Sequence, residues 1–116
     1  MKAGSEAAFM QQVTNLAAYT GWRWYHAPEN RPIRTANGRV RKQHVVRGFP
    51  DLTLVRDTEL IFAELKAERG RVRPEQTEWL NDLQVVPGVE TYIWKPSDWD
   101  YIQQRLNRPR VARVAA

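Results

Sequence analysis

Two apolar runs of β-type residues, Leu52–Val55 and Leu60–Leu65, flank the short polar stretch Arg56-Asp57-Thr58-Glu59. Runs of this length and spacing predict an antiparallel hairpin. The chain then breaks at Arg69-Gly70. Pro74 stands where a first-turn helical proline is favoured. A helix over Pro74–Val86, with Trp79, Leu80, Leu83 and Val86 apolar, leads through Pro87-Gly88 to a further strand, Glu90–Trp94. A helix between two strands makes a crossover, which favours a parallel pair. The hairpin and its crossover therefore dictate a mixed sheet with helices against it.

The flanks fit that frame. Ser5 is placed to cap a helix running to about Tyr19, with Phe9, Val13, Leu16 and Ala17 at helical spacing. Trp22–Pro28 alternates and is aromatic-rich, as a strand would be. Glu29–His44 reads as a long basic loop, or as a ragged hairpin turning at Asn37-Gly38. Ser97 is expected to cap a last helix, with Asp98 and Asp100 at its positive end and Trp99, Ile102 and Leu106 on one face. The expected class is α/β, in the order α-β-β-β-α-β-α once the basic loop is set aside. A single domain over 1–106 is expected, followed by a basic tail over 107–116.

Composition excludes several functions. The chain has 116 residues and no cysteine, so disulfides, thiolate zinc sites and cysteine nucleophiles are ruled out. No apolar run approaches a membrane span, and the N-terminal residues lack a secretory core. A cytoplasmic setting is expected. The net charge of +5 points to a polyanion such as nucleic acid. Between Arg23 and Arg47 lie Arg31, Arg34, Arg39, Arg41 and Lys42, with Glu29 the only acid. Those residues and Arg47 are the expected DNA contacts.

Three charges are out of keeping with a buried hairpin. Strand alternation puts Phe62, Glu64 and Lys66 on one face and Ile61, Ala63 and Leu65 on the other. Counting back from the turn, Val55 faces Leu60, so Asp51 lands near Glu64. Two carboxylates brought together repel unless a cation lies between them, and Mg²⁺ or Mn²⁺ takes such oxygen ligands. Lys66 beside them could orient a water or stabilise charge on a phosphate. Two acids, a lysine and a basic loop describe metal-assisted phosphodiester hydrolysis.

Glu6 lies on the apolar stripe of the first helix, three before Phe9. Gln76 lies three before Trp79 on the inward face of the second. Each can line the same site, or be an ordinary polar residue of a first helical turn. His26 ends its strand beside the basic loop, as a structural residue or a phosphate contact. His44 is expected to be solvated or to face DNA. Trp79, Trp94 and Trp99 sit at core spacing, while Trp22 and Trp24 are given no function.

Pro50-Asp51 followed by Glu64-Leu65-Lys66 resembles the PD-(D/E)-x-K nuclease superfamily. The finer likeness is to its VRR-NUC branch, the virus-type replication and repair nucleases. It is carried by Gly48-Phe49-Pro50-Asp51-Leu52, Glu64-Leu65-Lys66, Pro74-Glu75-Gln76 with Trp79-Leu80, and the Ser5-Glu6 helix. The resemblance spans about Ser5 to Leu106. Val45-Val46-Arg47-Gly48 lacks one arginine of the run that gives the branch its name.

The resemblance implies a restriction-endonuclease-like core. It implies that Asp51, Glu64 and the Leu65 main-chain carbonyl hold Mg²⁺ or Mn²⁺. Lys66 would then be the catalytic lysine, and Gln76 and Glu6 supporting residues. It further implies a homodimer acting on branched DNA such as a four-way Holliday junction, in replication, recombination or packaging of viral DNA. Arg108, Arg110 and Arg113 in the tail are expected to add grip on the backbone. The alternatives are a nuclease of flaps, ends or linear duplex, and a basic DNA-binding module without chemistry.

Overall fold

A computed structural model describes residues 5–28, 32–34, 36–42 and 46–110, with the backbone alone for 32–34 and 40–42. The elements are α1 (Glu6–Tyr19), β1 (Arg23–His26), β2 (Pro32–Arg34), β3 (Val40–Lys42), β4 (Leu52–Arg56), β5 (Glu59–Leu65), α2 (Pro74–Gln84), β6 (Val89–Trp94), a 3₁₀ turn (Pro96–Asp98) and α3 (Trp99–Leu106). Four strands form one sheet in the order β1-β4-β5-β6, and β2 pairs only with β3. The fold is α/β with a mixed sheet between helices, the restriction-endonuclease-like arrangement expected.

The β4–β5 hairpin centres the sheet. Leu52 pairs with Ala63 and Val55 with Leu60, which is the register inferred from the sequence. The turn is tighter than expected: Asp57 and Thr58 alone connect the strands, with Asp57 at φ 53°. β6 joins β5 in parallel, Leu60 beside Val89 through Leu65 beside Trp94, after the α2 crossover. At the other edge, β1 runs antiparallel to β4.

Alternation then sorts the side chains. Leu52, Leu54, Ile61, Ala63, Leu65 and Trp94 share one sheet face and are buried against Phe9, Val13 and Ala17 of α1 and Ile102 and Leu106 of α3. Each leucine, isoleucine, valine or phenylalanine among them contributes about 1.5–3 kcal/mol by leaving water. The opposite face carries Phe62, which meets Phe49 edge-on at 5.8 Å; Phe49 in turn meets Trp79 of α2 at 5.1 Å.

Local chemistry sets the helix ends. Ser5 Oγ accepts from Ala8 N at 3.2 Å, as expected of a cap. Pro74 occupies the first turn of α2. That helix stops at Gln84, so Val85 and Val86 lie beyond it and are exposed rather than in the core. The third cap also differs. Ser97 N donates to Glu68, and Asp98 Oδ2 accepts from Lys95 N at 2.9 Å to close a 3₁₀ turn, so α3 is capped at Asp98 and starts one residue later than Ser97 would place it. The basic segment takes the hairpin form: β2 and β3 pair antiparallel from Pro32–Lys42 to Arg34–Val40, with Gly38 at φ 82°.

Candidate active site

Asp51 stands immediately before β4, and Glu64 and Lys66 lie at the end of β5, so all three meet at the open end of the hairpin. Pairing arithmetic extended by one residue past Leu52–Ala63 sets Asp51 opposite Glu64 on the same face. Asp51 is fixed from two sides. Its carbonyl accepts from Ala27 N at 2.8 Å, and its Oδ2 accepts from Leu65 N at 2.9 Å. Lys66 is held by its backbone N–H, which donates to Trp94 O at 2.9 Å.

Glu64 is 1% exposed, and neither carboxylate oxygen has a hydrogen-bond partner among the described residues. Burial first, then the neighbouring Asp51 carboxyl and least of all Glu6 together push its carboxyl up to about 9, against the opposing pull of Lys66. An orphaned buried carboxylate beside a second one is costly as it stands. A cation between them would remove that cost.

These three side chains, with Glu6 and Gln76, line one cleft of about 490 Å³ that also includes Pro28, Val46, Arg47, Gly48, Phe49 and Arg73. Five of the six site residues expected from the sequence therefore border a single space, and the sixth, Leu65, lines the pocket beside it. Glu6 is exposed at the rim. Gln76 does two things at once: it faces the cleft, and its Oε1 accepts from Arg73 N at 2.8 Å, capping α2. Gly48 sets the floor. A Cβ there would lie 2.7 Å from the Glu75 backbone, and φ is 81°, so only glycine lets this segment press on the start of α2. Arg47 reinforces the contact through its Nε, 3.1 Å from Glu75 Oε1. Glu75 is held below its ordinary value first by its own backbone N–H and then by Arg47.

Among the described residues, no three His, Cys, Asp or Glu side chains converge as a ready metal cage. The donor set is thus Asp51, Glu64 and whatever main-chain and solvent oxygen joins them. That suits Mg²⁺ or Mn²⁺, since Mg²⁺ commonly uses one or two carboxylates and keeps several waters. The residues present fit such an ion.

The expected nucleic-acid contacts fare unevenly. Arg31 lies outside the described residues, as does His44; for Arg34, Arg41 and Lys42 only the backbone on β2 and β3 is described. Arg39 and Arg47 are exposed, Arg47 in the cleft. Arg110 is engaged within the protein. Its guanidinium is bound bidentately to Asp57 at 2.9 and 3.0 Å, at the turn end of the hairpin and away from the acids. Arg113 is outside the described residues.

Sequence reading missed a basic track. Arg69, Arg71 and Arg73 follow Lys66 at alternate positions, all exposed, and Arg73 borders the cleft. Their signal was present in Arg69-Gly70-Arg71-Val72-Arg73, which was read only as a break between elements.

His26 is exposed and lines a second pocket that shares Glu6 and Asp51 with the cleft. Its ring makes no hydrogen bond among the described residues.

A comparison with curated proteins finds no match. The family model described as the VRR-NUC domain matches residues 6–95, a span that contains Glu6, Asp51, Glu64, Lys66 and Gln76. PD-(D/E)-x-K nuclease domains generally use divalent metals, in keeping with the paired acids. The chain accordingly belongs to the VRR-NUC domain family and is a nuclease of the PD-(D/E)-x-K type.

Proposed function

We propose that the protein is a metal-dependent DNA endonuclease that hydrolyses phosphodiester bonds and prefers branched DNA, acting as a homodimer. One observation carries the metal dependence. Glu64 is buried with neither oxygen hydrogen-bonded among the described residues, beside Asp51 and next but one to Lys66. Such a group is destabilising unless it serves a ligand.

Asp51 and Glu64, with the Leu65 carbonyl as a further donor, would hold Mg²⁺ or Mn²⁺, which would supply Lewis-acid activation of the phosphate and of the attacking water. Asp51 is kept in place by Leu65 N, so it offers its other oxygen to the ion at no cost in side-chain freedom. Lys66, 8% exposed, holds a positive charge at the cleft floor, where it orients the attacking water and offsets charge on the phosphate. Gln76 Nε2 is left to contact solvent or substrate while Oε1 caps α2. Glu6 closes the rim. Arg47 and Arg73 at the cleft, with Arg39 and the β2–β3 hairpin beyond it, draw the phosphate backbone in.

Preference for branched DNA and the dimer rest on family membership. A panel of four-way junction, flap, single strand and linear duplex, each with Mg²⁺, Mn²⁺ or EDTA, tests the reading. Metal-dependent cutting strongest on the junction is expected. Binding without cutting on every shape and with every metal would overturn it.

A further inference from the structure

Trp22 and Trp24 lie two positions apart, so their side chains point to the same side of the chain. Their fates differ. Trp22 is 3% exposed, donates Nε1–H to Leu106 O at 3.1 Å, and lies under the guanidiniums of Arg56 and Arg105. Trp24 is 47% exposed and makes no ring contact or hydrogen bond among the described residues. It pairs in register with Leu54, and His26 with Leu52, so both face the α1 side of the sheet at its β1 edge.

There they form one wall of a pocket of about 400 Å³. The opposite wall is the α1 face of Glu6, Met10 and Thr14, and Asp51 stands between this pocket and the acidic cleft. Ligand pockets span about 300–1,000 Å³, so the space admits a small planar group. An exposed indole wall, a polarizable methionine opposite it, and an imidazole at the mouth suit an aromatic heterocycle with hydrogen-bonding edges.

We infer that this pocket takes one unstacked nucleobase of the substrate, the base of a nucleotide flanking the scissile phosphate, with Trp24 as its stacking platform. The inference rests on the nuclease reading, because Asp51 is what ties the pocket to the phosphate. A base within intact duplex cannot reach such a pocket without being unpaired. The pocket therefore selects strands that are unpaired or readily frayed at the cut, and this supplies a physical reason for acting at branches rather than along duplex.

The test is read without cleavage. In EDTA, a short single strand carrying 2-aminopurine and a blunt duplex of equal length are titrated with wild type, Trp24→Ala and Trp24→Phe. Wild type is expected to quench the 2-aminopurine on the single strand. Trp24→Ala should abolish the quench and weaken single-strand binding roughly 5- to 150-fold, the range of one lost base–aromatic stack. Duplex affinity and melting temperature should hold, and Trp24→Phe should restore most of the binding. Equal single-strand binding by wild type and Trp24→Ala would overturn the inference, as would an equal loss on duplex. A protein that quenches through Trp24 yet never cuts would keep the pocket and sink the nuclease reading instead.

Discussion

The two ends of the β4–β5 hairpin both bury charge, and they do so in opposite ways. At the turn end, Arg56 is 2% exposed on its side chain and fully engaged. It donates to Glu59 at 3.0 and 3.1 Å and to the carbonyls of Thr20, Leu106 and Arg108. Arg105, 1% exposed, bridges Glu59 at 2.9 Å and Glu90, leaving one nitrogen, Nη1, without a partner among the described residues. Those bonds raise the Arg105 guanidinium further and hold Glu90 below its ordinary value. At the open end, two carboxyl groups meet, burial and Asp51 push that of Glu64 up, and neither of its oxygens has a hydrogen-bond partner among the described residues. One end uses opposite charges to lock α3 and the chain after it onto the sheet. The other buries a carboxyl that is neutral on its own and that a bound cation would let ionise.

The sharpest way to break this contrast is to exchange what each end is asked to do. Lys66→Ala should lower the cleavage rate about 10²- to 10⁴-fold, the usual worth of a positioned proton-handling group. Its melting temperature should stay close to wild type, and a single-turnover assay with a thermal melt reads both. Arg56→Ala should do the reverse. Breaking a buried pair costs about 3–5 kcal/mol, and each kcal/mol lowers Tm by roughly 4–8 °C in a domain of this size. Activity below the lowered melt should persist. An Arg56→Ala protein that melts like wild type would show the turn end to be no lock.

A subtler prediction concerns Glu64→Gln in EDTA. The folded carboxyl lies near 9 against an ordinary 4.5, so the folded state favours the protonated form. The stability that Glu64 contributes is then fullest below about pH 4.5 and is lost as pH rises toward 9. Glutamine mimics the neutral acid. Glu64→Gln should match wild type at pH 4 and melt at least ~4 °C higher at pH 8, a gap equivalent to about 1 kcal/mol. Mg²⁺ should close that gap by stabilising wild type alone. The smallest effect is expected from Arg110→Ala, whose ion pair with Asp57 is exposed on the arginine side. Its Tm should fall by no more than a few degrees, less in high salt, with DNA cleavage unchanged.

The open end was legible in the sequence because its logic is short-ranged. A hairpin with a polar turn fixes which residues oppose, and strand alternation fixes which face Glu64 and Lys66 share. Glu6 and Gln76 followed from helical spacing alone. The turn end was not legible. Arg56 has the parity of Leu52 and Leu54, but its partners at Thr20, Leu106 and Arg108 come from distant segments that no local period reveals. Ser97 misled for a similar reason: Glu68, far away in sequence, takes its N–H, and Asp98 closes the turn instead. Trp22 and Trp24 look alike as letters. One is locked between arginines and the other stands open beside Asp51, a difference set by where α1 and α3 cover the sheet.

The central claim is that Asp51 and Glu64 together hold a divalent ion. Mn²⁺ titration followed by loss of the free-ion electron paramagnetic resonance signal measures this without any substrate. Wild type should take up Mn²⁺ saturably, and Asp51→Ala and Glu64→Gln should each abolish the tight phase while remaining folded. Uptake by both variants equal to that of wild type would contradict the account.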